Sequence, residues 1–264
     1  MNFRRVYAIF LRQIILLKKG HFRVMSLFYW STIDLVLWGL LSQYLNRTAG
    51  TGFSFVSTLV GAIILLSFFF RVVQGITVAF LEDVWSRNFL NLFASPLAIH
   101  EYILGLILVS VFDTAVSLAF MAVLAWLLFA FNIFRFGLAL IPFAAVLFMF
   151  GWAIGITATG IMLRLGPSAE ILAWSIPALM TPISAVFYPV SALPYTLQIL
   201  ARFIPNSYVF EGMRAVVLSG SLDLQKLFMA FALATLYCAA AYAYLFFSYK
   251  KVLRRGLFAR FMTQ

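Results

Sequence analysis

Six long apolar runs constrain what this chain can fold into. They cover about residues 24 to 45, 55 to 80, 102 to 130, 137 to 163, 171 to 190 and 227 to 248, and a helix of about 20 apolar residues crosses a bilayer. Charged residues make up 10% of the chain, against about a quarter in a soluble domain. So few charges cannot cover a water-facing surface. The sequence therefore predicts an all-α membrane protein with six transmembrane helices, in one transmembrane domain over residues 1–264.

The net charge of +11 would suggest a nucleic-acid partner in a soluble protein. Here six Lys and Arg residues lie within residues 1–23 and five follow the last apolar run. This distribution fits the positive-inside rule. It predicts a multi-pass protein of the cell (inner) membrane with both termini cytoplasmic, in contact with membrane lipids and not with nucleic acid. Residues 1–23 become a cytoplasmic interfacial segment and residues 249–264 a basic cytoplasmic tail.

Two of the runs have further features. The third run is longer than one straight crossing needs, so it tilts, breaks or continues as an interfacial segment near residues 129–136. In the fourth run, Gly151 and Gly155 have the small-xxx-small spacing that allows close helix approach, although this spacing also arises by chance.

The sequence lacks the groups that an enzyme of the membrane would need. The two histidines, His21 and His100, lie near predicted membrane boundaries, and the single cysteine, Cys238, lies within an apolar run. There is no G-x-x-x-x-G-K-[ST] motif to hold phosphates. We therefore expect no catalytic residue, no metal site, no ATP bound by a P-loop of this chain and no enzymatic activity.

The predicted cytoplasmic loop at residues 82–97 has the pattern of a short amphipathic helix. Its apolar positions at helical spacing are Leu81, Trp85, Phe89 and Leu92, and its polar positions are Glu82, Asp83, Ser86 and Arg87. Asp83 and Arg87 have the i, i+4 spacing of an ion pair, and Pro96 ends the segment. Such a helix either lies in the lipid headgroup layer or docks onto a cytoplasmic partner.

Residues 187–215 are too apolar for a free outer loop. Pro189, Pro194 and Pro205 prevent one continuous helix, and the backbone groups that they leave unpaired must be buried in protein or face water. We expect a re-entrant hairpin of short helices on the outer side, between the fifth and sixth crossings.

Four polar residues fall within the apolar runs: Asp34, Arg71, Gln74 and Asp113. A carboxylate at the centre of a membrane helix costs about 2.5 to 3.5 kcal/mol on the insertion scale, so these groups are expected to face another helix or a wet cavity. They either pair with one another or line a translocation path.

Two motifs carry a resemblance to a known family. The cytoplasmic loop contains Leu90-x4-Ser95-Pro96-Leu97, followed by Gly105 in the next run. The outer stretch contains Phe187-Tyr188-Pro189-x3-Leu193-Pro194, then Ile204-Pro205 and Glu211-Gly212-Met213-Arg214. Their order, together with the six-helix layout, resembles the half-size transmembrane subunit of type-2 ATP-binding-cassette (ABC) exporters over nearly the whole chain. One departure is Ser86-Arg87-Asn88-Phe89, where that family usually carries a glycine and more charge.

The resemblance implies a permease that moves a drug-like, lipid or glycan substrate outward. It also implies two partners, a second permease chain in a homodimer or heterodimer and a pair of cytoplasmic ATPase subunits that bind ATP and Mg²⁺. The residues implied to couple to the ATPase are Glu82, Asp83, Trp85, Arg87, Phe89, Leu92 and Pro96. Those implied to form the outer gate are Tyr188, Pro189, Pro194, Pro205, Glu211 and Arg214.

Two other functions remain as alternatives. An ion-gradient-driven secondary transporter would need inverted repeats and a mid-membrane ion site; the two halves do not match, but Arg71 and Asp113 could couple transport to protons. A membrane-embedded lipid transferase would need an acidic or His-rich cluster that the sequence lacks.

Overall fold

The computed structural model describes residues 2–49, 56–86 and 88–254, and all regular structure in these ranges is helical. Its α-helices are α1 Phe3–Lys19, α2 His21–Ala49, α3 Gly61–Trp85, α4 Phe89–Ala94, α5 Ile99–Phe129, α6 Leu140–Leu165, α7 Ile171–Ile183, α8 Tyr195–Ala201, α9 Pro205–Ser219 and α10 Leu224–Arg254. A π-helical turn, Val56–Val60, precedes α3, and a 3₁₀-helical turn, Ile133–Ala139, precedes α6. The predicted all-α class is confirmed for the described ranges.

Five segments of the described ranges are long and apolar enough to cross a bilayer. They are Arg23–Thr48, Val56–Trp85, Ile99–Phe129, Phe136–Leu165 and Leu224–Arg254. They correspond to five of the six predicted crossings and make the chain a multi-pass membrane protein.

The predicted crossing at residues 171–190 has a different form. Its helix, α7, has 13 residues and is about 20 Å long, against about 30 Å for the hydrocarbon core. Pro177 and Pro182 lie inside α7, and Ala185 just beyond it has a φ of 52°, in the left-handed region. The helix therefore ends early, and α7 is too short to cross by itself.

The third apolar run forms one helix, and a turn follows it. Helix α5 is continuous over 31 residues, a length of about 46 Å. It ends where Ala130 adopts a φ of 52°, and the 3₁₀ turn Ile133–Ala139 follows. Helix α5 is therefore unbroken through the predicted run as far as Phe129, and the change of direction at Ala130 falls at the last residue of that run.

Helix α3 forms the centre of the structure. In the segment Val56–Trp85, 89% of the most apolar stretch of 18 residues is buried. Helix α3 contacts α5 and α6 at glycines. A Cβ atom built on Gly75 would lie 2.5 Å from the Cα of Ser110, and one built on Gly151 would lie 2.6 Å from Val72. Side chains cannot approach so closely, so these glycines allow the helices to pack. The close approach suggested by the Gly151–Gly155 spacing is thus between α6 and α3.

Helices α6 and α10 pack side by side and run in the same direction. The thiol of Cys238 donates to the carbonyl of Met149, 2.9 Å away, and the ring of Tyr244 lies beside Gly160 further along both helices. Because parallel neighbours need a return connection, the chain between them must cover the length of α6 again. The described structure makes this return with α7, α8 and α9.

The segment expected at the membrane interface begins with the amphipathic helix α1. Val6, Ile9, Gln13 and Leu17 recur at helical spacing and are buried, mainly against α5. A Cβ atom on Gly105 of α5 would lie 2.6 Å from Ile9. The glycine of the cytoplasmic motif therefore makes room for α1.

Candidate functional site

The structure divides the predicted coupling helix into two parts. Helix α3 continues to Trp85, a turn follows at Ser86, and the short helix α4 begins at Phe89. The prediction of one amphipathic helix with Leu81 and Trp85 on its apolar face is therefore wrong. Leu81 is fully buried within α3, whereas Trp85 is 55% exposed.

The C-terminal end of this segment agrees with the prediction. Ser95 is extended, with a ψ of 163°, and ends α4 just before Pro96, because the residue before a proline is disfavoured in helical conformation. Arg87 lies outside the described residues, as does the side chain of Phe89.

Asp83 lies at the buried C-terminal end of α3, and its carboxylate is contacted by three donor side chains. The Tyr102 hydroxyl donates to Oδ2 over 2.7 Å, the Arg12 guanidinium forms an ion pair with Oδ1, and the Gln13 amide lies 3.4 Å from Oδ1. A buried carboxylate needs such partners because burial removes its water. Asp83 thus connects α3 to α1 and α5, and it is buried, in contrast to its predicted position on the polar face of an amphipathic loop helix.

Glu82 is partnered in a similar way. Its carboxylate forms an ion pair with Arg23 at the start of α2, and the same guanidinium lies 3.9 Å from Asp113 of α5. Arg23 also donates to Gln13 over 3.1 Å. Together Arg12, Gln13, Arg23, Glu82, Asp83 and Asp113 form what we call the inner polar cluster, which joins α1, α2, α3 and α5.

A second contact joins α1 to the end of the loop. Glu101 accepts hydrogen bonds from the backbone of Asn2 at 2.7 Å and of Ala98 at 3.2 Å, and lies 3.4 Å from the Arg5 guanidinium. Arg5 also donates to the carbonyl of Pro96. In the sequence Arg5 is one of the basic residues that indicate topology, and neither Glu101 nor Pro96 could be predicted as its partner.

Helix α4 has one packed and one open side. The ring of Phe93 lies 5.5 Å from that of Tyr102 on α5 and 5.4 Å from that of Tyr249 on α10, and Leu92 is half-buried. Asn91 and Ser95 are exposed. Helix α4 therefore packs against α5 and α10 on one side and is exposed at the protein surface on the other.

A cavity of about 870 Å³ lies between α2, α3 and α7. Asp34, Arg71 and Gln74 line it, so the structure brings together three of the four predicted intramembrane polar residues. The Arg71 guanidinium is directed toward α2 and donates to the carbonyl of Leu27 over 2.9 Å. Asp113 lines a smaller neighbouring cavity of about 80 Å³, which Arg71 and Gln74 also line.

The predicted outer hairpin contains short helices that begin at its prolines. Pro189 precedes a 3₁₀ turn, Val190–Ala192, Pro194 precedes α8, and Pro205 is the first residue of α9. Proline suits a first helical turn, where its missing N–H is not needed. The break into short helices agrees with the prediction, and the re-entrant placement stays a prediction.

Glu211 and Arg214 of α9 hold the two arms of this hairpin together. Glu211 accepts from the backbone N–H of Val190 over 2.8 Å and from Arg214 over 2.9 Å. Arg214 also donates to the carbonyl of Val186 over 3.1 Å. The Tyr188 hydroxyl donates to the carbonyl of Pro182 over 2.7 Å. Glu211, Arg214 and Tyr188 thus fix the hairpin internally and to the residues just before it, and the gate role stays a prediction.

The chain matches the ABC-2 type transporter family over residues 4–218. The match includes α1 to α8 and nearly all of α9, and hence the inner polar cluster, α4, the cavity and the hairpin. No curated protein matches the chain in sequence. A membrane domain of this kind is the permease component of a transporter and not its ATPase. Since the match covers most of its length, the chain belongs to the ABC-2 type transporter family.

Proposed function

We propose that this chain is the permease subunit of an ATP-driven exporter that moves a drug-like, lipid or glycan substrate outward across the cell membrane. Membership of the ABC-2 family supports the permease role. Separate cytoplasmic ATPase subunits would bind ATP with Mg²⁺ and supply the energy.

The observation that carries this proposal is the position of α4. Asn91 of α4 and Ser95, the residue that follows it, are exposed and available to a partner. Phe93 of α4 contacts Tyr102 and Tyr249 on two membrane-crossing helices. A partner that displaces α4 would therefore also displace α5 and α10. The docking alternative is favoured over a helix that simply lies in the headgroup layer.

The inner polar cluster would extend this movement to the rest of the subunit. Tyr102, which contacts Phe93, also donates to Asp83, and Asp83 pairs with Arg12 of α1. Arg23 connects the same region to α2, the helix that carries Asp34 into the cavity. Glu82 and Asp83 would thus take part in coupling from inside the permease, not at the ATPase surface.

The proposed orientation has both termini in the cytoplasm and six crossings. Five are single helices. The sixth would be the return from the end of α6 to the start of α10, made jointly by α7, α8 and α9. Lys and Arg at both ends of the chain support this orientation. The hairpin of α8 and α9 would then lie on the outer side and close the exit.

A second permease chain would cover the exposed face of α2. In the most apolar stretch of this helix, 22% of the residues are buried. The helix also carries Asp34, which is exposed in the single chain. Asp34 lines the cavity between α2, α3 and α7, and lipid entering that cavity would contact a carboxylate at a depth where such contact is costly. We therefore propose a dimer that shields the α2 face, with two copies of this chain as its simplest form.

A photo-crosslinking experiment tests the ATPase partnership. A photoreactive amino acid is placed at Asn91 on α4, or at Thr196 on α8 as a matched exposed control, and cross-linked proteins are identified from native membranes. We expect an ATPase with a P-loop at Asn91 and not at Thr196. Transport activity in membranes where no ATPase is captured at Asn91 would contradict the proposal.

One observation favours the secondary-transporter alternative. The Oδ1 atom of Asp113 is buried without a hydrogen-bond partner in the described structure, so this carboxyl group has a free position for a proton. Asp113→Asn would then abolish transport that a proton gradient drives. Under the exporter proposal, transport would instead require ATP whether or not a proton gradient is present.

A further inference from the structure

We propose that the cavity between α2, α3 and α7 binds a hydrophobic organic cation, with the Asp34 carboxylate as its counter-charge. This inference rests on the proposed function, since the cation would be the transported substrate. Of the drug-like, lipid and glycan classes, it selects a drug-like compound with a positive charge.

The first argument is the position of Asp34 between aromatic rings. Trp30, Asp34 and Trp38 are spaced four residues apart, so they lie along one face of α2, and all three line the cavity. Phe70 of α3 and Trp174 of α7 line the other walls. Aromatic faces attract cations, and indole does so most strongly. The cavity thus combines a carboxylate with the rings that favour an organic cation.

The second argument is the balance of charge. Within the described structure, Asp34 has no ion pair and no hydrogen-bond donor. Arg71, the other charged residue of the cavity, is 7% exposed and donates to the α2 carbonyls of Ser26 and Leu27. The Arg71 guanidinium also interacts electrostatically with Asp113. The Asp34 carboxylate is therefore the charged group of the cavity lining that has no partner in the described residues. A neutral or anionic ligand would leave Asp34 uncompensated at membrane depth, whereas a cation would neutralise it.

The third argument is size and polarity. A volume of about 870 Å³ falls within the range of about 300 to 1,000 Å³ typical of small-molecule sites. Apart from Asp34, Arg71 and Gln74, the polar groups of the lining are the hydroxyls of Ser31, Ser67 and Thr181 and the indole N–H groups of the three tryptophans. A glycan needs many more hydrogen-bonding partners than these. A compact apolar body with one positive charge fits the lining better.

Two ions of matched shape test the proposal. The full-length chain in lipid nanodiscs is titrated with tetraphenylphosphonium, a cation, and with tetraphenylborate, an anion of nearly the same size, while tryptophan fluorescence reports binding. We expect the cation to bind at least about tenfold more tightly than the anion, since an ion pair and aromatic contacts both favour it. Asp34→Asn should remove this preference, and Asp34→Glu should keep it.

Asp223→Asn provides the control variant. Asp223 is an exposed carboxylate that caps the start of α10, and asparagine caps helices equally well, so its binding should match that of the unaltered chain. Equal binding of the two ions, or an unchanged preference in Asp34→Asn, would overturn the inference.

Transport measurements separate this inference from the proposed function. If ATP drives export of another compound and Asp34→Asn exports it normally, the exporter proposal stands and the cation site is wrong. If the cation binds through Asp34 but ATP drives no transport, the site stands and the exporter proposal is wrong.

Discussion

At the scale of single residues, Asp83 and Tyr102 connect the loop helix to the interior. Asp83 is fully buried at the end of α3, and its hydrogen bond from Tyr102 joins it to the residue that contacts Phe93 of α4. Loss of one donor to a buried carboxylate leaves part of its desolvation cost uncompensated. We therefore expect this hydrogen bond to stabilise the fold and to transmit movement of α4 to α3.

Tyr102→Phe removes the hydroxyl and keeps the ring that packs against Phe93. We expect a loss of about 1 to 3 kcal/mol in stability, seen as a lower thermal unfolding temperature in detergent. Tyr188→Phe is the control, because the Tyr188 hydroxyl donates to a single backbone carbonyl from an exposed position. An equal decrease in unfolding temperature in the two variants would contradict a larger contribution of the Tyr102–Asp83 hydrogen bond to stability.

The partners of Asp83 could not be predicted from local sequence. Helical periodicity places Glu82 and Asp83 on the polar face of an amphipathic helix, opposite the apolar positions. The neutralising residue, Arg12, lies 71 positions earlier, and periodicity carries no information about such distant contacts. The end of α4 before Pro96 was predictable because proline acts on the residue next to it.

At the scale of helices, the contact between α1 and α5 determines where the N-terminal segment lies. Val6 and Ile9 approach α5 at Gly105, and Arg5 and Arg12 form ion pairs on the same side. The sequence predicted a segment at the interface but not its packing partner. Gly105 follows the cytoplasmic motif in the sequence, and in the structure its missing side chain leaves room for Ile9 of α1.

Gly105→Leu should displace α1 from the long helices. A Cβ atom at this position would lie within 2.7 Å of two Ile9 atoms, so either Ile9 or the whole of α1 must move. We expect faster amide hydrogen exchange across residues 3–19 than in the unaltered chain. Ala119→Leu, at an exposed position of α5, is the control and should leave that exchange unchanged. Unchanged protection in Gly105→Leu would contradict the packing described for α1.

At the scale of the whole molecule, the number of crossings depends on α7, α8 and α9. The hydrophobic runs at both ends of the chain were predictable from length and apolar content alone. The run at residues 171–190 was apolar enough to be predicted as a crossing, but Pro177 and Pro182 occur within it and the helix ends after 13 residues. Composition cannot distinguish one long helix from a crossing assembled from several short ones.

Labelling of single cysteines distinguishes six crossings from five. In a Cys238→Ala background, cysteines are placed at Ser95, after α4, and at Ser221, before α10; both positions are exposed. With six crossings, a membrane-impermeant maleimide should label Ser95→Cys only from the cytoplasmic side and Ser221→Cys only from the outer side. Labelling of both from one side would mean that α7 to α9 do not complete a crossing.

The central claim is that this permease obtains its energy from ATP hydrolysed by a partner, and transport into inverted membrane vesicles tests it directly. The vesicles contain the chain with its co-purifying ATPase, and uptake of tetraphenylphosphonium or another exported compound is followed with ATP and a protonophore. We predict that uptake continues with the protonophore, and that it stops without ATP or when the P-loop lysine of the partner is substituted. Uptake by the purified chain alone, driven by a proton gradient without ATP, would contradict the claim.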